Sequence, residues 1–158
     1  MGVVGSGKTT EGKLLAKKLG WQFADADDFH PPEHIEKISH GIPLDDSDRA
    51  PWLAALRSAI QQWDREGKNM VLACSALKQS YRDELGTGDV RFVYLKGSYG
   101  LISERLRSRH GHFASESILQ SQLADLEEPR NAITVEIDKT AEEIVAEIIQ
   151  RLNELGIM

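Results

Sequence analysis

The chain has 158 residues and a mass of 17.6 kDa, enough for one domain, and its 41% hydrophobic and 28% charged residues exclude a disordered or collagen-like polypeptide. A net charge of −6 and a pI near 5.4 argue against a nucleic-acid or anionic-membrane surface, yet leave room for a small anion held by a few local cations. A lone cysteine, Cys74, and the absence of any long apolar run or leader-like start set the expectation of a cytoplasmic protein.

The chain opens on a glycine-rich loop, Gly2-Val3-Val4-Gly5-Ser6-Gly7-Lys8-Thr9-Thr10, that runs into a predicted helix over 9–19. Leu14, Leu15 and Leu19 form the apolar side of this helix and Gly20 stops it. A short strand over 21–24 ends in Asp25-Ala26-Asp27-Asp28, and Pro31 and Pro32 begin a helix-rich stretch. Its main helix is predicted over 51–66, burying Leu53, Leu56, Ile60 and Trp63 at spacings of three and four. The continuous apolar run 70–74 reads as a strand covered on both faces of a parallel sheet. A helix over 76–85, a strand over 92–95 and a helix over 99–109 follow. Residues 110–115 read as a mobile polar segment, 117–126 as a helix and 133–137 as the last strand. Thr140-Ala141-Glu142-Glu143 has the form of a capping box opening a terminal helix, with Ile144, Ile148, Leu152 and Leu155 facing inward. Strands alternating with helices predict an α/β fold with a parallel sheet, in a single domain over 1–158.

The chemistry starts at the first loop. Gly2-x4-Gly7-Lys8-Thr9 satisfies the Walker A pattern, whose backbone N–H groups turn inward around phosphate oxygens at a helix N-terminus. Gly2, Gly5, Ser6, Gly7 and Thr10 are thus candidate nucleotide-binding residues, Lys8 the cation on the β- and γ-phosphates, and Thr9 a ligand of Mg²⁺. Carboxylates after the second strand should lie beside that loop, because ligands of open parallel sheets bind beyond the strands' carboxyl ends. Asp27 is the candidate base for an acceptor hydroxyl, and Asp25 the candidate holder of Mg²⁺ or its water. Cys74 reads as a small core residue, and the strand end after it presents Ser75. Arg49, Lys78 and Arg82 are candidate cations for a carboxylate-bearing substrate, and His30 can bond a substrate hydroxyl. Arg105 and Arg109 share a helix face beside Gly111-His112-Phe113, an arrangement suited to a lid that closes over phosphates. His34, His40, His110 and His112 show no metal-ligand spacing.

Taken together, these segments resemble the small gluconokinases, relatives of shikimate kinase and the nucleoside monophosphate kinases. The resemblance spans nearly the whole chain. It is carried by residues 2–10, Asp25-Ala26-Asp27-Asp28-Phe29-His30-Pro31, the block 41–53, Cys74-Ser75-Ala76-Leu77-Lys78, Tyr81-Arg82-Asp83, Tyr94-Leu95-Lys96-Gly97, Gly111-His112-Phe113 and 121–129. Val4 stands where the family more often has serine. The resemblance implies a sheet in the order 2-3-1-4-5, an acceptor-binding insert at about 29–66 and a lid at about 109–116. It further implies ATP- and Mg²⁺-dependent phosphorylation of D-gluconate at its 6-hydroxyl by a homodimer. Asp27, His30, Arg49, Ser75 and Lys78 would surround gluconate, with Arg105 and Arg109 closing on the nucleotide. Two other readings stay open: a kinase for another small hydroxy acid such as shikimate, and a nucleotide-binding protein without turnover. Only Met1 precedes the loop, so a truncated first strand is expected, together with an in-frame upstream extension of about five to fifteen apolar-rich residues.

Overall fold

The computed structural model describes residues 1–109 and 113–157, with the side chains of 109 and 113–115 outside that description. Helices and short parallel strands alternate: α1 (Lys8–Leu19), β1 (Gln22–Asp25), a 3₁₀ turn (Ala26–Phe29), α2 (Pro32–Ser39), α3 (Asp46–Arg65), β2 (Met70–Ala73), α4 (Gln79–Leu85), β3 (Val93–Lys96), α5 (Tyr99–Arg109), α6 (Phe113–Asp125), β4 (Ile133–Glu136) and α7 (Ala141–Glu154). The α/β expectation holds.

Three boundaries differ from the sequence reading by more than one residue, for identifiable reasons. Helix α3 starts at Asp46 rather than at Pro51. Asp45 caps it by accepting from the Asp48 N–H at 2.8 Å, while the Asp48 carboxylate accepts from the Asp45 N–H at 3.1 Å, so Pro51 lies inside the helix. Helix α4 starts at Gln79 because Ala76 sits at φ 45°, a left-handed conformation no α-helix accommodates. Helix α6 begins at Phe113, so 113–115, expected as mobile loop, are helical, while 110–112 lie outside the described residues. The Thr140–Glu143 capping box forms as predicted, and Ile144, Ile148 and Leu152 are buried; Leu155 falls past the end of α7 and is 62% exposed.

Strand β1 pairs with β2, Gln22 opposite Met70 through Asp25 opposite Ala73, and β3 pairs with β4, Val93 opposite Ile133 through Lys96 opposite Glu136. These pairs match the neighbours 2-3 and 4-5 of the expected order, but the five-stranded order 2-3-1-4-5 is not formed among the described residues. Between the pairs lie Met1 and Gly2: the Met1 nitrogen donates to the Val93 carbonyl at 2.5 Å and its carbonyl accepts from Leu95 N–H at 2.9 Å. On the other side Gly2 N–H reaches the Ser75 carbonyl at 3.3 Å. The strand pairs flank an apolar cleft of about 640 Å³, lined by Leu15, Val71, Val93, Leu95, Ile148 and Leu152 among others.

Two clusters make the core. One joins α1, β3, β4, α5, α6 and α7 through Leu15, Leu95, Leu106, Leu119, Val135 and Ile144; the other packs Trp52, Leu53, Leu56 and Ile60 of α3 against Cys74, Tyr81 and Leu85. The first holds the glycine loop and α1. The second holds α3 and the 3₁₀ turn, and a groove lined by residues of both clusters lies between them.

Candidate active site

The Gly2–Gly7 loop doubles back on itself, Ser6 N–H donating to the Val3 carbonyl at 3.1 Å, and feeds straight into α1. Gly7, at φ 102°, caps α1, and a Cβ there would collide with the Glu11 carboxylate. Only glycine satisfies both constraints. Lys8 Nζ donates to the Val3 carbonyl at 3.1 Å, spanning the loop from within, and burial lowers its pKa against the pull of Asp27.

Strand β1 carries the acidic side. Asp25 caps the 3₁₀ turn by accepting from Asp27 N–H at 2.9 Å, and its other oxygen accepts from the Thr9 hydroxyl at 3.1 Å. The first turn of α1 and the end of β1 are therefore stitched together, with Asp27 held one short turn beyond. Burial raises the Asp27 pKa, the neighbouring Asp25 charge adds to the rise, and Lys8 opposes it. The Thr9 hydroxyl and Asp25 carboxylate are hard oxygen donors side by side, a set that fits Mg²⁺, which takes one or two protein oxygens and keeps its waters. Among the described residues no group of three or more His, Cys, Asp or Glu forms a full protein cage.

A groove of about 250 Å³ collects these groups: Gly5, Gly7, Lys8, Thr9, Thr10, Asp25, Asp27, His30, Arg49 and Ser75 all line it. Ten predicted residues thus meet in one place. Gly2 and Ser6 are not on its wall; Ser6 is fully buried behind the loop. Lys78 is off the wall too, its ammonium on the Asp46 carboxylate at 3.0 Å. Arg105 turns to the Ile137 carbonyl at 2.7 Å, and the Arg109 side chain and the lid residues 110–112 lie outside the described residues. Arg82 is buried and donates to the Ala76, Leu77 and Glu127 carbonyls at 2.8, 3.0 and 2.7 Å, anchoring the turn after β2 rather than facing the groove. Cys74 is buried, and desolvation pushes its thiol up to about 11, as befits a core residue.

Several wall residues had no role assigned from the sequence. Gln122 on α6 accepts from Val4 N–H at 2.6 Å and so holds the glycine loop from the far side. Trp52 lies flat on His30, ring centroids 4.4 Å apart and 9° from parallel, with its own N–H on the Ala26 carbonyl at 2.7 Å. Arg49 is already engaged by Asp125 at 2.8 Å and by the Tyr81 hydroxyl at 3.0 Å, while Tyr81 in turn bonds Asp46. No local pattern signals these partners, because they come from helices 30 to 80 positions away. Burial, His34 and Arg49 push His30 down to about 4, so it is a neutral ring at physiological pH.

The Shikimate kinase family model matches residues 4–153. A probable gluconokinase of Xenopus tropicalis is 46% identical across 94% of this chain and 88% of its own length. The gluconokinase of Gluconobacter oxydans is 44% identical across 95% and 87%. The crystal structure of a gluconokinase from Sinorhizobium meliloti superposes with a TM-score of 0.87 at 43% identity, covering 98% of this chain and 90% of that one. A shikimate kinase from Aquifex aeolicus, 19% identical with a TM-score of 0.61, shares the fold. A glycine-rich loop of Walker A form, a carboxylate one turn beyond the adjacent strand and a groove that both share with α3 are thus found in a chain that belongs to the gluconokinase family.

Proposed function

We propose that this protein transfers the γ-phosphoryl group of ATP to the 6-hydroxyl of D-gluconate, giving 6-phosphogluconate and ADP. The observation that carries this is the meeting of Lys8 and Thr9 with Asp27, His30 and Arg49 in one groove. Loop N–H groups and the N-terminus of α1 cradle the phosphates, and Lys8 exchanges the Val3 carbonyl for phosphate oxygens. Asp27 accepts the proton of the reacting hydroxyl as its oxygen attacks the γ-phosphorus, and its raised pKa makes it a stronger base than an ordinary carboxylate. Thr9 and Asp25 would hold Mg²⁺, which supplies neutralisation of charge on the phosphates. Arg49, fixed by Asp125 and Tyr81, faces the acceptor carboxylate, with Ser75 beside it. Arg105 and Arg109 close on the nucleotide, and Lys78 joins the acceptor side if its pair with Asp46 opens.

Identity of 46% to a named gluconokinase, against 19% to a shikimate kinase, favours the sugar acid over shikimate. ADP release measured across a panel of aldonates and shikimate tests it. Turnover confined to gluconate and close aldonates supports the proposal; turnover of shikimate alone, or nucleotide binding without ADP release, overturns it. No helix among the described residues is long and apolar enough to cross a membrane, and we place the enzyme in the cytoplasm as a homodimer, which light scattering checks.

A further inference from the structure

His34, one turn along from His30 on the insert, is buried at 6% exposure, is not on the groove wall and has no part in the mechanism above. Its Nδ1 lies 3.2 Å from His30 Nδ1, and its Nε2 lies 3.8 Å from Asp48 Oδ1. Two ring nitrogens at that distance make a hydrogen bond only if one carries a proton and the other a lone pair. Asp48 decides which. Its carboxylate, also held by Lys37 at 3.1 Å and by Asp45 N–H, faces Nε2, where a proton is attracted and a bare lone pair repelled. With the His34 proton on Nε2, its Nδ1 is the acceptor and His30 Nδ1 must be the donor. A neutral imidazole has one proton, so His30 Nε2 is left bare. Trp52 stacking holds the ring plane, and a flip of His30 within that plane would break its bond to His34.

We infer that His34, backed by Asp48, is a positioning residue that locks His30 in its Nδ1–H tautomer, so that His30 offers the groove a hydrogen-bond acceptor for a substrate hydroxyl. The inference rests on the gluconate kinase reading for its substrate, but the tautomer itself does not. A polyol acid presents hydroxyl donors along its length. Asp27 takes the reacting one, and a second acceptor fixed nearby selects a chain bearing a further hydroxyl over one with a carbonyl or hydrogen at that place.

The test pairs ¹⁵N NMR of the imidazoles near pH 8 with gluconate kinetics. His30 is identified by the signal lost in His30→Gln. In the wild type His30 should carry its proton on Nδ1. In His34→Leu it should become a tautomer mixture, with KM for gluconate raised about tenfold, the worth of one hydrogen bond, and KM for ATP changed less than twofold. His34→Asn should restore both readouts, since Asn Oδ1 stands one bond beyond Cγ as Nδ1 does. Should His34→Leu fail to fold, the wild-type tautomer and His34→Asn decide. A wild-type His30 protonated on Nε2, an unmoved tautomer and KM in His34→Leu, or no recovery in His34→Asn overturns the inference. Absence of gluconate turnover in the wild type would overturn the kinase reading instead, and leave the NMR result to judge the tautomer.

Discussion

Asp27 lies within the 3₁₀ turn after β1 and His30 directly follows it, yet burial moves their pKa values in opposite directions, because it penalises whichever form is charged. Asp27→Asn removes the proposed acceptor for the hydroxyl proton but leaves Lys8 and the loop in place, so ATP binding measured by calorimetry should be retained while kcat falls by orders of magnitude. The acid limb of the kcat/KM profile should lie above the ordinary carboxylate value of about 3.9, since the raised pKa leaves Asp27 protonated at a higher pH. A limb at or below that value would remove Asp27 as the base. For His30 the linkage runs through stability. Its folded pKa, about 4, lies below the unfolded value of about 6.5, so the folded state binds fewer protons between those limits. Its contribution is present above pH 6.5 and is lost as the pH falls toward 4. Urea midpoints at pH 7 and pH 5 should differ less in His30→Gln than in the wild type.

The proposed acceptor side of the groove owes its shape to the start of α3. Extending that helix back from Pro51 to Asp46 puts Arg49 on its first turns, beside Trp52, and points both at the groove. Asp45→Ala should therefore cost about 1 kcal/mol, read in the denaturation midpoint, through loss of the cap, and raise KM for gluconate more than for ATP. Arg49 and Lys78, both proposed to serve the acceptor, differ in placement: Arg49 lines the groove and Lys78 is paired with Asp46. Arg49→Ala should raise KM for gluconate tenfold or more, by about 1.5–3 kcal/mol for a charged hydrogen bond. Lys78→Ala should raise it by clearly less, and equal effects would show that Lys78 turns into the groove with substrate bound. The glycine loop and the Thr140 capping box were legible because each is a local device complete within a few residues. The start of α3 was not: the Asp45–Asp48 box and Pro51 compete as helix openers, and hydrogen-bond pairing decides between them.

At the scale of the molecule, the groove lies where the two hydrophobic clusters face each other, so ligands that touch both tie them together. In the inactive Asp27→Asn protein, gluconate at a hundred times its Kd should stabilise by about 2.7 kcal/mol, which raises Tm by about 5–10 °C for a domain of this size. Shikimate at the same concentration should leave Tm unchanged. A shift with shikimate and none with gluconate would reassign the acceptor.

The sequence by itself determined the α/β class, the phosphate loop and the carboxylates after β1, because glycine conformations, strand runs and the strand-to-helix turn are dictated by neighbours along the chain. It also held the pattern of the family in blocks that stay contiguous, such as 41–53 and 74–78. Which cations face the groove was decided only by the fold: Arg49 and Lys78 look alike in one dimension, and Asp125, Tyr81 and Asp46 reach them from distant helices. The same holds for Gln122 against the loop and His34 behind His30, whose partners are set by packing between elements and leave no periodic trace. The state of the sheet was likewise settled in three dimensions, since backbone pairing joins β1 to β2 and β3 to β4 but puts only Met1 and Gly2 between the pairs.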